Sequence, residues 1–264
     1  MAPVGITWLG HSTVLNELDG LRLLTDPLLG PWAALLRRTA APVHASKVAR
    51  IDAVLLSHLH ADHANPRSLR RLGPDVPIFA APGAASWLRR RGLHNVHAIG
   101  PGESEAIGSI TVEAVHAEHN VRRWPWVGPV SPPIGFRVGG SSTVYFPGDT
   151  DLFDGMARLG DIDVALLPVA GWGSTLGPGH LDSTRAAQAA EMIGPRLAVP
   201  IHWGTFAVPG RSPRDAAEPA RAFARLTAAY APEVDVRILV PGERTTLERN
   251  RSPASGEAGA LPPA

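Results

Sequence analysis

The sequence of 264 residues is long enough to bury a substantial hydrophobic core, which excludes a small scaffold that depends on disulfides for its stability. Its 25 basic and 24 acidic residues leave a formal net charge of +1, so no overall field attracts nucleic acid, and we expect no nucleic-acid partner. The chain contains no cysteine, so any metal site must use histidine and carboxylate ligands.

Two further features bear on location. No apolar run approaches the roughly 18 residues that cross a bilayer, so we expect no transmembrane segment. The first residues also lack the basic and apolar regions of a signal peptide. The sequence therefore predicts a soluble, cytoplasmic protein.

Apolar runs of strand length recur along the chain and alternate with helix candidates, which predicts a mixed α/β fold. The predicted strands are 6–9, 21–24, 53–56, 78–80, 110–115, 143–146, 164–169, 197–201 and 236–240. Helices are predicted at 184–193 and 215–230, and a short one opens at Asn65 and Pro66. We expect one domain over residues 1–248, followed by a tail, 249–264, that has little to bury and is disordered.

A dense group of metal-ligand residues follows the run 53–56 directly. His58, His60, Asp62 and His63 fall within six residues. His58 and His60 are two apart, so they project to the same side if the strand pleat continues, while Asp62 and His63 come from the following turn. A single tetrahedral ion that keeps a water cannot use all four, so the pattern indicates two metals. The alternative is a turn with ordinary surface histidines. That interpretation suits an isolated histidine, but it does not suit four ligand residues in the pattern His-x-His-x-Asp-His.

Three more candidate ligands stand at or just past the ends of predicted strands. They are His116 after 110–115, Asp149 after 143–146 and His202 after 197–201. Ligands delivered by several strand ends meet at one edge of a layered α/β fold. His119 competes with His116, and we prefer His116 because it follows its strand directly.

The order of these residues resembles that of the metallo-β-lactamase superfamily. Four motifs are similar to the branch that contains N-acyl-phosphatidylethanolamine phospholipase D and the ascorbate-6-phosphate lactonases. They are Trp8-Leu-Gly-His-Ser-Thr-Val-Leu, Leu24-Thr-Asp-Pro27, Pro147-Gly-Asp-Thr150 and Ile201-His-Trp-Gly-Thr-Phe206. The resemblance implies a four-layer αββα sandwich with a dinuclear site at one edge of its two sheets.

The resemblance also implies a ligand set. The first metal is held by His58, His60 and His116, the second by Asp62, His63 and His202, and Asp149 bridges them. Iron-binding relatives that reduce oxygen tend to carry Glu at the position of His60, so two zinc ions per chain are favoured, with Mn or Fe as alternatives. Asp62 is expected to act in catalysis as well as in binding.

The activity implied is hydrolysis by a metal-bridging hydroxide. The leading substrate is a phosphodiester-type or otherwise phosphate-bearing small molecule. One alternative is a lactonase or amide hydrolase of the same fold, and another is a metal-binding scaffold without turnover. The complete ligand set argues against the scaffold.

Other residues have predicted supporting roles. His180 is a candidate for stabilising an oxyanion or protonating the leaving group. Asp26 is expected to orient a ligand histidine, and His11 to approach the metals from its tight turn. Candidate substrate contacts in loops that roof the site are Trp124, Trp126, Trp172 and Arg122. Simpler structural roles for these loop residues, such as capping the edges of the core, are the alternative.

Overall fold

The computed structural model describes residues 3–123, 128–170, 176–209 and 215–248. The strands, in chain order, are β1 Val4–Gly10, β2 Thr13–Leu18, β3 Leu21–Thr25, β4 Trp32–Ala33, β5 Leu36–Arg38, β6 Ala53–Leu56, β7 Ile78–Ala80, β8 Val96–Ala98, β9 Ser104–Ile107, β10 Ile110–His116, β11 Ile134–Gly139, β12 Thr143–Phe146, β13 Val164–Pro168, β14 Leu197–Ile201, β15 Phe206–Ala207, β16 Asp235–Val236 and β17 Arg244–Leu247. The helices are α1 Pro66–Arg71, α2 Pro82–Arg89, α3 Ser183–Ile193 and α4 Glu218–Tyr230, with 3₁₀ turns at Ala45–Val48 and Asp154–Arg158. The predicted tail, 249–264, lies outside the described residues.

The strands form two seven-stranded mixed sheets and one small sheet. The first sheet has the order β17-β1-β2-β3-β6-β7-β8, and the second has the order β16-β14-β13-β12-β11-β10-β9. Each sheet has an antiparallel half and a half in which neighbouring strands are parallel, from β3 to β8 and from β12 to β16. The small sheet, β15-β5-β4, is built on the β4–β5 hairpin.

The alternation of side chains along β6 shows how the layers stack. Ala53 and Leu55 join the core between the two sheets, whereas Val54 and Leu56 pack with Trp87 of α2 on the outer side of the first sheet. The apolar faces of α3 and α4 pack on the second sheet. The layers therefore run helix, sheet, sheet, helix, which confirms the predicted αββα sandwich.

One predicted strand is shorter than expected, and one observed helix was not predicted. The strand predicted at 236–240 is limited to Asp235–Val236, although the Arg237 N–H still donates to the Ala198 carbonyl of β14. Helix α2, Pro82–Arg89, was not among the predicted helices. Proline fits the first turn of a helix, where its missing N–H has no partner to lose.

Parallel strands bring their carboxyl ends to the same edge of a sheet. Ser57 follows β6 in the first sheet, and His202 follows β14 in the second. This edge is therefore where the candidate ligands of both sheets meet. The longest described helix, α4, has 13 residues, and no helix in the described parts of the chain has the length and apolar character for a membrane span.

Candidate metal centre

Two groups of histidine and carboxylate side chains lie at this shared edge, and all eight residues come from the loops that follow strand ends there. Within each group the potential ligand atoms lie within 4.8 Å of one another. The first group contains His58, His60, His119 and Asp149, and the second contains His11, Asp62, His63 and His202. The arrangement thus separates the predicted residues into two neighbouring sets.

In the first group, imidazole nitrogens converge on one point. The Nδ1 atom of His60 and the Nε2 atom of His119 are 3.0 Å apart, and His119 Nε2 lies 4.0 Å from Asp149 Oδ2. The ring centroids of His58 and His119 are 4.7 Å apart. Burial lowers the pKa of His58 well below its usual range and that of His119 to about 4, so both rings are neutral at pH 7.

Asp149 lies between the two groups. Its Oδ2 is 3.2 Å from His63 Nε2, and its Oδ1 is 3.2 Å from His202 Nε2. Burial alone would raise the pKa of Asp149, but His202 and His63 lower it well below its usual range. His63 and His202 belong to the second group, and His119 of the first group has its Nε2 4.0 Å from Asp149 Oδ2. The carboxylate therefore faces nitrogen atoms of both groups.

Most of the inner histidines are oriented through their other ring nitrogen. His119 Nδ1 donates to the Gly179 carbonyl at 2.5 Å, and His202 Nδ1 donates to the Ala170 carbonyl at 2.8 Å. With the proton held on Nδ1, the Nε2 lone pair of each ring faces the cluster. This tautomer is the one that a metal ligand needs.

Asp26 orients two more rings from beneath the cluster. Its Oδ2 accepts a hydrogen bond from His63 Nδ1 at 2.7 Å and one from the Ser57 hydroxyl, and its Oδ1 accepts from the Ser57 N–H at 2.8 Å. Because the Ser57 hydroxyl donates its proton to Asp26, its oxygen can only accept from His58 Nδ1, which lies 2.9 Å away. His58 Nε2 is then buried without a hydrogen-bond partner in the described residues, which fits a nitrogen that binds a metal.

His11 lies against the second group. Its Nε2 is 3.1 Å from Asp62 Oδ2, and its backbone is fixed by Trp8, whose indole N–H donates to the His11 carbonyl at 2.8 Å. Burial, with the neighbouring His202, lowers the pKa of His11 to about 3. A neutral His11 ring can therefore donate to Oδ2 of the Asp62 carboxylate.

The structure places His119, and not the preferred His116, in the first group. His116 stands at the end of β10 in solvent, 57% exposed, next to Glu118 and against the edge of the Phe153 ring. The chain then turns, and Glu118 bonds to Thr150 in the loop after Asp149, which carries His119 into the cluster. The sequence showed His119 as a second candidate. The turn that brings His119 into the group depends on the contact with the loop after Asp149.

His180 reaches the cluster from the loop before α3. Its Nε2 lies 3.9 Å from Asp149 Oδ2, its ring meets the His119 ring edge-on at 4.6 Å, and its side chain is 27% exposed. Asp182 caps α3 by accepting from the N–H groups of Thr184 and Arg185, which fixes this loop. His180 therefore connects the buried nitrogens to solvent.

The predicted substrate contacts divide into two sets. Trp124, Trp126 and Trp172 lie outside the described residues. Arg122 is exposed, and its backbone N–H bonds to Asn120, so the structure does not bring its side chain into the cluster.

The neighbouring Arg123 has a role that the sequence analysis missed. Its guanidinium donates to the carbonyls of Leu59, at 2.6 Å, and Ala64, at 3.1 Å, on either side of the His60 to His63 turn. It also lies over the Trp87 ring at 4.3 Å. Arg123 thus ties the segment that carries His119 to the turn that carries His60, Asp62 and His63.

Comparisons with known proteins agree with this architecture. A model of the Beta-lactamase superfamily domain matches residues 21–203. A metal-dependent hydrolase of Methanopyrus kandleri is 33% identical over 255 residues, which cover 90% of this chain and 97% of that protein. The N-acyl-phosphatidylethanolamine-hydrolyzing phospholipase D 1 of Caenorhabditis elegans is 26% identical over 235 residues, which cover 76% of this chain and 64% of that protein.

A solved structure with the same fold is a metallo hydrolase of the archaeon Ignicoccus hospitalis. It superposes with a TM-score of 0.72 at 24% identity and covers 94% of this chain and 99% of its own. The family match spans most of the chain and includes the turn that carries His58 to His63. The chain therefore belongs to the β-lactamase superfamily and is a metal-dependent hydrolase of the metallo-β-lactamase fold.

Proposed function

We propose that this protein is a dinuclear zinc hydrolase of small molecules. In this proposal the first zinc is held by His58, His60 and His119, the second by Asp62, His63 and His202, and Asp149 is shared. The observation that carries the proposal is the position of Asp149, whose two oxygens face nitrogens of both groups. Imidazole and carboxylate donors suit zinc, with Mn and Fe as the alternatives that metal analysis distinguishes.

Bound zinc ions would supply a hydroxide nucleophile near neutral pH and polarise the bond under attack. The chain's own residues prepare the site for that chemistry. Asp26 holds His63 in one tautomer, and the Gly179 carbonyl does the same for His119. His180, half-way between the cluster and solvent, is placed to donate a proton to the leaving group or to stabilise a developing oxyanion.

We infer a phosphodiester-type or otherwise phosphate-bearing small molecule as the substrate. The similarity to a protein named as a phospholipase D supports this class, because that enzyme's name describes cleavage at a phosphodiester. The same site chemistry would also open a lactone or an amide, since both reactions need attack on a polarised carbonyl. The substrate test therefore includes both bond types.

The test combines elemental analysis with hydrolysis of bis(p-nitrophenyl) phosphate and of a simple lactone by one preparation. About two zinc ions per chain with phosphodiester turnover is the expected result. Turnover of the lactone alone would overturn the phosphodiester as the substrate class and would leave the assignment as a hydrolase unchanged. Substoichiometric metal that added zinc does not restore would overturn the dinuclear assignment.

A variant of the shared carboxylate separates an enzyme from a metal-binding scaffold. Asp149→Ala is expected to abolish hydrolysis while the far-ultraviolet circular dichroism spectrum stays unchanged. Asp163→Ala is a suitable control, because Asp163 is also a carboxylate of the second sheet but bonds Thr143 and Arg196. Wild-type protein that is loaded with zinc but hydrolyses neither bis(p-nitrophenyl) phosphate nor the lactone would favour the scaffold.

A further inference from the structure

The outer helix layer on the first sheet carries a concentrated positive charge. Residues 65–98 contain six arginines and a single carboxylate, Asp75, although the whole chain has a formal net charge of only +1. All six arginines are exposed. They are Arg67, Arg70, Arg71, Arg89, Arg90 and Arg91, and we call them the arginine face.

Contacts hold the arginine face together across α1 and α2. The guanidinium of Arg70 donates to the Arg91 carbonyl at 2.5 Å, which places the ends of the two helices side by side. The guanidinium of Arg91 in turn lies 3.8 Å from the centre of the Trp87 ring. Five of the six arginines are therefore at the adjacent carboxyl ends of α1 and α2, and Arg67 lies one turn before Arg70 and Arg71 on the same side of α1.

These charges are not neutralised within the protein. None of the six forms an ion pair with a carboxylate of the described residues, whereas on α4 both Arg221 and Arg225 pair with Glu218. The helix dipole favours arginines in the last turns of α1 and α2, but Arg67 lies in the first turn of α1, where a positive charge is unfavourable. Uncompensated like charges on one surface are typical of a site for an external anion.

Exposed apolar side chains lie beside this charge. The β4–β5 hairpin presents Trp32, 49% exposed, and Leu35, 86% exposed, at its tip. The chain leading to the hairpin is fixed to α1, because the Leu29 N–H donates to the Ser68 hydroxyl and the Leu29 carbonyl accepts from Arg71. The hairpin is therefore an apolar neighbour of the arginine face.

The combination favours a lipid surface over a nucleic acid. Arginine binds phosphate in either partner. A bilayer also accepts tryptophan and leucine side chains at the boundary between headgroups and acyl chains. A nucleic acid gives an aliphatic side chain such as Leu35 less apolar contact, limited to the thymine methyl group or to the space between unstacked bases. Arg37, exposed and directly opposite Trp32 on the hairpin, adds a further charge at the same place.

We propose that the arginine face and the β4–β5 hairpin dock this protein on anionic phospholipid bilayers as a peripheral protein. The arginines supply the attraction to the headgroups, and Trp32 and Leu35 supply shallow apolar insertion. This surface is separate from the metal ligands, so the proposal stands or falls independently of the hydrolytic reaction.

The test is cosedimentation of the full chain with vesicles of phosphatidylcholine, with and without one part in three of phosphatidylglycerol. We expect binding only to the anionic vesicles, with loss of binding in high salt. Arg67→Gln combined with Arg90→Gln is expected to weaken partitioning by on the order of tenfold or more. The matched control, Arg221→Gln with Arg225→Gln, removes the same charge from α4 and is expected to have little effect on partitioning.

Leu35→Ser distinguishes lipid from nucleic acid. It is expected to weaken partitioning into anionic vesicles several-fold, whereas short duplex DNA should not displace the wild-type protein from the vesicles. Thermal melting of each variant checks that the fold is intact. Equal binding to neutral and anionic vesicles, equal loss in the α4 control, or displacement by duplex DNA would overturn the proposal.

Discussion

The Nδ1 atom of His63 and the Oδ2 atom of Asp26 are 2.7 Å apart, and both side chains are fully buried beneath the candidate metal ligands. The same oxygen also accepts from the hydroxyl of Ser57, whose oxygen in turn orients His58. The Asp26 carboxylate therefore orients one histidine of each candidate ligand group, although Asp26 itself is in neither group.

Replacing that carboxylate by an amide tests its role. In Asp26→Asn, an amide nitrogen cannot accept both hydrogen bonds, so His63 or Ser57 loses its orientation. We expect zinc affinity to fall by about 10- to 100-fold, measured by competition with a chelator of known affinity. The control Asp75→Asn changes an exposed carboxylate on the outer layer and should bind zinc as the wild type does. Unchanged affinity in Asp26→Asn would contradict the orienting role.

The two histidines near the end of β10 give a second prediction. His119→Ala removes a buried nitrogen that lies 3.0 Å from His60 Nδ1, whereas His116→Ala removes an exposed ring. We expect His119→Ala to lose metal from the first group and to lose hydrolysis, and His116→Ala to keep both, by elemental analysis and activity. The opposite pattern would return His116 to the ligand set.

The glycine before Asp149 gives a prediction about stability. Gly148 has a φ of +66°, and a Cβ atom added there would collide with the Ser57 side chain. Gly148→Ala should therefore cost more than about 3 kcal/mol in the free energy of unfolding. Gly73→Ala is the matched control, because Gly73 also has positive φ, +107°, but open space around it, so only about 1 kcal/mol is expected.

Both free energies are measured by urea denaturation of the metal-free proteins, so that loss of zinc does not enter the comparison. Equal destabilisation in the two variants would show that backbone strain alone accounts for the effect and that contact with Ser57 has no part in it.

Arg123 is predicted to stabilise the metal-binding turn. In Arg123→Met the carbonyls of Leu59 and Ala64 lose a charged donor, and we expect a loss of about 2–3 kcal/mol in the free energy of unfolding and weaker zinc binding. Arg122→Met, the adjacent control, is expected to change the free energy by less than about 0.5 kcal/mol, because this side chain is exposed. Similar losses in both variants would refute the assignment.

Tyr145 predicts a pH dependence of stability at alkaline pH. The side chain is fully buried, and burial raises its pKa above the usual range. A phenol that keeps its proton in the folded state but loses it near pH 10 in the unfolded chain favours unfolding as the pH rises, by about 1.4 kcal/mol at pH 11. The stabilising contribution is therefore complete below about pH 10 and is lost above it.

Tyr145→Phe should abolish that loss. Because the Tyr145 hydroxyl has no hydrogen-bond partner in the described residues, removing it is also expected to raise stability at pH 7 by about 1 kcal/mol. Urea denaturation at pH 7, 9 and 11 measures both effects. Tyr230→Phe, at the other tyrosine of the chain and 41% exposed, should leave the alkaline loss as it is in the wild type.

Much of the metal centre was predictable because its information is local. The candidate ligands His58, His60, Asp62 and His63 lie in one short segment after an apolar strand, and Asp149 and His202 follow their strands closely. Strand periodicity and the common edge of parallel strands were then enough to predict where these residues meet. The αββα layering followed from the resemblance that the same motifs carry.

Tertiary contacts decided what the local pattern left open. Whether His116 or His119 enters the cluster depends on a turn that bonds to Thr150, 32 residues from Glu118. The role of Arg123 likewise depends on carbonyls about 60 residues away. Such choices are fixed by hydrogen bonds between segments that are distant in the chain, and neither residue type nor spacing encodes which distant partner will be near.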